Sequence, residues 1–118
     1  MDETLSPRER IRKKKDFLLV YRDGKRHRGK VFNLIYLSNN LGFSRLAVVV
    51  SRKVGSAVER NKIKRNMRDL FRKNKELFTV YADMIIIPKK GILDISHSDL
   101  QKEYFAAVAS INQRDQTR

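Results

Sequence analysis

The chain has 118 residues, 41% hydrophobic and 34% charged, with 27 Lys and Arg against 13 Asp and Glu and a formal charge of +14. That length suits one domain with a modest core, and the absence of cysteine excludes disulfides and thiolate metal sites. So basic a chain calls for a polyanionic partner, nucleic acid before an anionic membrane. Its longest apolar runs, "LAVVV" and "MIII", fall far short of the roughly 20 residues that span a bilayer. No signal-peptide apolar region follows Met1, so a soluble cytoplasmic protein is expected. The charge is uneven: residues 1–90 carry 24 basic and 9 acidic side chains, residues 91–118 carry 3 and 4. The polyanion surface is therefore expected in the first ninety residues.

Residues 1–12 mix both charges with an early proline and read as an arm that orders only on its partner. In "KKKDFLLVYRDGK", Phe17, Val20 and Tyr21 fall at i, i+3, i+4 before Gly24, which predicts a helix over Lys14 to Asp23. "KRHRGK" (25–30) suits an additional short strand or a loop. "KVFNLIYLSNNLGFSRLAVVVSRKVG" holds two β-rich runs around "SNNLG", which predicts a hairpin. In the first run Phe32, Leu34 and Tyr36 share one face and Val31, Asn33, Ile35 and Leu37 the other. Both faces are largely apolar, so both should be at least partly covered.

Gly55 then ends the strand, and Ser56 with Glu59 has the spacing of a capping box. "ADMIIIPKKG" predicts a short apolar strand in a sheet centre, limited by Pro88. Leu100, Tyr104, Ala107, Val108 and Ile111 predict a last helix behind a Ser98/Gln101 cap, with 113–118 a frayed tail. The whole is an α+β single-domain sandwich over residues 1–118: helix, strands, long basic helix, strand, helix.

The basic helix carries the strongest chemical signal. "VERNKIKRNMRDLFRK" (58–73) contains seven Lys or Arg, yet at about 100° per residue Ile63, Met67, Leu70 and Phe71 form one apolar arc. Beside it Arg60, Lys64, Arg68 and Arg72 recur every fourth residue, with Asn61 and Arg65 alongside. A solvated face laced with ion pairs is the ordinary reading of such a run. Asp69 can serve Arg65 and Lys73, and Glu59 can serve Lys62, but no acid lies within the stripe. Like charges four apart oppose the helix by a few tenths of a kcal/mol per pair, so the pattern favours phosphate binding. Arginine's planar fork holds two phosphate oxygens at once.

Two aromatic pairs suggest a second surface. Phe17 and Tyr21 lie one turn apart, and Phe32 and Tyr36 share a strand face. If the first helix crosses that face, the rings border a groove that stacks unpaired bases; rings at such spacings are otherwise ordinary core. No catalytic constellation is visible. His27 and His97 lack neighbours with metal-ligand or triad spacing, Ser51 has no local base, and Asp83 has no paired carboxylate.

"SRKVGSAVERNKIKRNMRDLFR" resembles the protein subunit of bacterial ribonuclease P, whose signature Arg-Asn-Arg-x-Lys-Arg appears as Arg60, Asn61, Lys62, Ile63, Lys64 and Arg65, followed by Arg68. Lys62 replaces the usual Arg, keeping charge but losing the fork. "KKKDFLLVYRDGKRHRG" and "YADMIIIPKKG" resemble the family's first helix and last strand, so the likeness covers roughly residues 8–110. It implies a ribosomal-protein-S5-domain-2-like fold with a left-handed crossover, and an endoribonuclease that removes the 5′ leader of precursor tRNA. In this family the RNA performs the hydrolysis with Mg²⁺, and the protein holds the catalytic RNA and the leader. Matched by position, the RNA-contacting residues are Arg60, Asn61, Lys62, Lys64, Arg65 and Arg68, to which Lys53 and Arg72 are added from the same segment. The leader groove falls on Phe17, Tyr21 and Tyr36, joined by Phe32 and Ser51. A structural or ribosomal RNA-binding protein, or a helix-turn-helix DNA binder, are the competing readings; the latter lacks a short partner helix before the basic one.

Overall fold

The computed structural model describes residues 7–116, with side chains to Gln113. Its elements follow the order α1 (Lys14–Asp23), β1 (Lys25–Arg28), β2 (Phe32–Ser38), β3 (Arg45–Val48), α2 (Ala57–Lys73), β4 (Ala82–Pro88) and α3 (His97–Gln116). The four strands form one sheet in the order β1-β2-β4-β3; β1 with β2 and β2 with β4 are antiparallel, β3 with β4 parallel.

The expected hairpin between the two β-rich runs is not formed, because β4 lies between β2 and β3. β4 is buried along nearly its whole length on both faces, as suits a strand in the middle of a sheet covered above and below, and it pairs with β2 on one edge and β3 on the other. The "SNNLG" segment is a turn that arches over the start of β4: Asn39 N–H donates to the Tyr81 carbonyl at 3.0 Å, Ala82 N–H to Ser44 Oγ at 3.1 Å, and Gly42 takes φ +82°, the left-handed region glycine tolerates. The hairpin partner of β2 is instead β1, the basic run 25–28.

The two faces of the sheet are covered differently. On the inner face Phe32, Leu34, Tyr36, Leu46, Met84 and Ile86 pack with Ile63, Met67, Leu70 and Phe71 of α2 and with Leu100, Tyr104, Val108 and Ile111 of α3. On the outer face Ile35 and Ile85 pack against Val20 of α1, with Phe17, Leu37, Ala47 and Ile87 at the margin. α1 is anchored at its start by Arg45, which donates to both oxygens of Asp83 (Nε to Oδ1 2.8 Å) and reaches Asp16 of α1 at 3.3 Å. It ends at Gly24, where a Cβ would strike the Val20 carbonyl and lie 2.8 Å from the Tyr36 carbonyl, so only glycine permits the close turn into β1.

α2 begins at the expected capping box: Ser56 Oγ accepts from Glu59 N–H at 3.2 Å and Glu59 Oε1 from Ser56 N–H at 2.9 Å. Those bonds hold the Glu59 carboxyl below its ordinary pKa. α3 begins earlier than expected. Its cap is Ser96, whose Oγ accepts from Asp99 N–H at 3.1 Å, so Ser98 and Gln101 lie inside the helix. Asn112, at the edge of the expected tail, bonds both Thr79 N–H and the Leu77 carbonyl. Residues 7–12 also depart from the expected arm. Glu9 is buried and pairs with Lys75 at 2.6 Å, Arg8 lies over the Phe43 ring, and Ile11 N–H donates to the Leu46 carbonyl at 3.2 Å, covering the free edge of β3. Residues 1–6 of that arm lie outside the described residues.

Candidate nucleic-acid interface

The apolar arc of α2 faces the inner core, so the helix must turn its charged flank outward. Arg60, Lys64, Arg68 and Arg72 are half-buried along that flank, while Asn61, Lys62 and Arg65 are exposed. The stripe is not wholly uncompensated, since Arg72 reaches Asp69 at 3.4 Å; Asp69 thus serves Arg72, not Arg65 or Lys73. Its other three members have no ion pair among the described residues. The Nε atoms of Arg60 and Arg72 are buried without a hydrogen-bond partner on the protein. Lys62 lies about 120° around the helix from Arg68, and lines a different cleft with Glu59, Asn66 and His97. It is therefore apart from the stripe.

At Arg68 the stripe meets a feature the sequence reading missed. Arg10 and Arg12, held beside β3 by the edge bridge, line a depression of about 360 Å³ with Arg68, Ala47 and Val48. No carboxylate lines it, and the Arg10 Nε is buried and unpartnered. Burial, and then the nearby Arg10 charge, hold the Arg68 guanidinium below its ordinary pKa. Two adjacent guanidiniums without an acid are raised in energy until an anion lies between them. The only sequence signal was the charge run "PRERIRKKK", which spacing alone does not connect to a residue 58 positions away. Lys53 is exposed in the turn before α2. Its N–H donates to Ser51 Oγ at 3.0 Å, which makes Ser51 a turn-closing residue outside the aromatic groove.

The outer face holds the second surface. Phe17 and Tyr21 stack, rings 6.4 Å apart and 14° from parallel, and Arg26 lies over Tyr21 at 5.4 Å. Next to them an open groove of about 410 Å³ is lined by Tyr21, Arg26, Arg28, Asn33, Ile35, Ile87 and Lys89, with His27 at the rim. Phe32 and Tyr36 do not belong to it. Each is 1% exposed on the inner face, because strand alternation puts them opposite to Asn33 and Ile35, and α1 packs on that other face over Ile35. Of the four expected rings Tyr21 alone lines the groove, over an Asn/Ile floor, and Phe17 stacks behind it at the margin of the outer core. Among the described residues no group of three or more His, Asp or Glu could hold a metal ion, and no helix is long and apolar enough to cross a membrane.

Basic helix flank, parallel strands about that helix, and a groove roofed by one aromatic helix define a small α+β RNA-binding subunit. The sequence model of the Ribonuclease P family matches residues 5–112. The ribonuclease P protein component of Thermotoga maritima is 42% identical over 92 residues, 78% of this chain and 79% of that protein. That of Maridesulfovibrio salexigens is 42% identical over 107 residues, 87% and 86% of the two. The solved T. maritima RNase P protein superposes with a TM-score of 0.77 at 33% identity over 85% of this chain and 94% of its own. The Staphylococcus aureus protein gives 0.76 at 32% over 87% and 94%. The chain belongs to the ribonuclease P family, as a protein component of that endoribonuclease.

Proposed function

We propose that the chain works in tRNA 5′-end maturation by holding two RNAs at once. The α2 flank and Arg10–Arg12 grip the catalytic RNA, and the outer groove receives the single-stranded 5′ leader of precursor tRNA. The observation that carries this is the acid-free cation cluster from Arg60 through Lys64 and Arg68 to Arg10 and Arg12. A helix that places like charges four apart, and a second segment that adds to them, is relieved when phosphates neutralise them. Arginine forks then fix the register of the phosphate chain.

The groove suits an unpaired strand. Tyr21 and Phe17 offer ring faces, which only a base released from a duplex can cover. Arg26, Arg28 and Lys89 line the same groove and supply positive charge for the backbone phosphates of such a strand. The Mg²⁺ of the hydrolysis is bound mainly by the catalytic RNA, and this chain's residues bind, position and neutralise. The setting for that work is the cytoplasm.

Reconstitution tests it. Adding the chain to a bacterial ribonuclease P RNA at low Mg²⁺ should accelerate cleavage of precursor tRNA. Cleavage no faster than with the RNA alone refutes the reading.

A further inference from the structure

Lys62, the motif residue that the stripe leaves out, belongs to the other flank of α2. There Lys62, Asn66 and His97 of α3 line a cleft of about 320 Å³ between α2 and the 3-10 turn Lys90–Asp94, at the small end of ligand sites, which begin at roughly 300 Å³. Its floor and wall are apolar: Ile63, Ile92 and Leu100 are buried, while Leu93 is 38% exposed. The polar side chains around the mouth are free. Lys62, Asn66 and His97 make no side-chain hydrogen bond or ion pair among the described residues. Asn66 sits in the middle of α2, where asparagine is a poor helix former. The acid of the cleft, Glu59, is engaged in the helix cap, its Oε1 accepting from Ser56 N–H at 2.9 Å.

We infer that this cleft is a further contact with the catalytic RNA and receives one of its unpaired nucleotides. The base enters against Leu93 and His97, its edge meets the Asn66 amide, and its phosphate lies at Lys62. The inference rests on the chain gripping that RNA. Only a base released from a duplex can fill a concave apolar cleft, and imidazole is among the rings on which such bases stack. A phosphate alone would be held weakly there, since Glu59 offsets Lys62; a nucleotide adds the buried base. The cleft is also continuous with the cation row. At about 100° per residue, Arg65 falls midway between Arg68 and Lys62, and Asp69, the acid on that side, pairs with Arg72 at 3.4 Å. One RNA segment can therefore follow positive charge round the exposed ridge of α2, from the stripe to the mouth of the cleft.

The chain has no cysteine, so a short photoreactive group can be placed on a single introduced thiol. In holoenzyme reconstituted from the full chain and a bacterial ribonuclease P RNA, Leu93→Cys so labelled should crosslink to one unpaired nucleotide of that RNA. Phe105→Cys, on the outward face of α3 at a position 40% exposed, should not. His97→Ala should weaken binding of the catalytic RNA about 5-fold or more, the loss of one stacked base, with the salt slope unchanged. Lys62→Ala should instead lower that slope by about one unit. His97 is exposed, so free His97→Ala should melt at the wild-type temperature, which separates a lost contact from a damaged fold. Crosslinks to paired RNA, to precursor tRNA or to a second copy of the chain, no crosslink at all, or undiminished affinity in His97→Ala overturn the inference. If wild type neither binds the catalytic RNA nor speeds precursor cleavage, the proposed function itself fails and the inference falls with it; wild-type acceleration without the Leu93→Cys crosslink removes the cleft alone.

Discussion

The inner and outer faces of one sheet have opposite tasks here. The inner face presents Phe32, Leu34, Tyr36, Met84 and Ile86 to two helices and is sealed. The outer face presents Asn33, Ile35, Ile85 and Ile87 to a single ten-residue helix, and the part that α1 does not reach is a groove. Burial on one side stabilises the scaffold, and incomplete burial on the other leaves apolar and aromatic surface for a ligand. Aromatic residues occur on both sides, so ring chemistry does not distinguish the two tasks. Which helices lie above each face does.

The comparison is broken most forcefully from inside. Phe32→Ala should lose about 3–5 kcal/mol of stability in urea unfolding, with leader preference intact in the molecules that remain folded. A selective loss of leader affinity without destabilisation would return Phe32 to the groove. Next in size is Arg45→Met, which cuts the tie between α1 and the sheet and leaves the Asp83 carboxylate with Asn39 as its remaining side-chain partner. Removing one member of a mostly buried pair should destabilise the fold by about 2–3 kcal/mol, measured in the same way. A fully stable variant would show that α1 needs no ionic anchor.

Arg10→Ala and Arg68→Ala separate binding from folding. Each should lower the salt slope of RNA binding by about one unit, while the free protein keeps its stability because a like-charge contact is relieved. Unchanged slopes would remove the pair from the RNA surface. The smallest effect concerns Tyr104, whose hydroxyl is buried without a partner on the protein and whose pKa burial raises. The folded state therefore keeps the proton that the unfolded chain releases above about pH 10. The contribution of Tyr104 to stability is complete below that pH and falls as pH rises beyond it. Tyr104→Phe should flatten the alkaline limb of the stability curve, and an identical limb would contradict the assignment.

Much of this was legible in the residues. The bounds of α1, the apolar arc and capping box of α2, and the buried apolar run of β4 followed from periodicity and local chemistry. The strand order did not: an apolar strand belongs inside the sheet, but that leaves open which strands flank it, and the insertion of β4 between β2 and β3 is a long-range pairing. The groove face was misplaced for a related reason. Phe32 and Tyr36 drew the eye as rings, whereas the polar break at Asn33 marked the face that stays partly open. Arg10 joined the candidate site only through the edge bridge to Leu46, a long-range contact that no local pattern encodes.

The division of labour between the two faces is tested most directly by the affinity of reconstituted holoenzyme for leader-bearing precursor relative to mature tRNA, in wild type and in Phe17→Ala. Wild type should favour the precursor, and Phe17→Ala should lose about 1–3 kcal/mol of that preference with mature tRNA binding unchanged. Equal weakening toward both RNAs, or no weakening toward either, would contradict it.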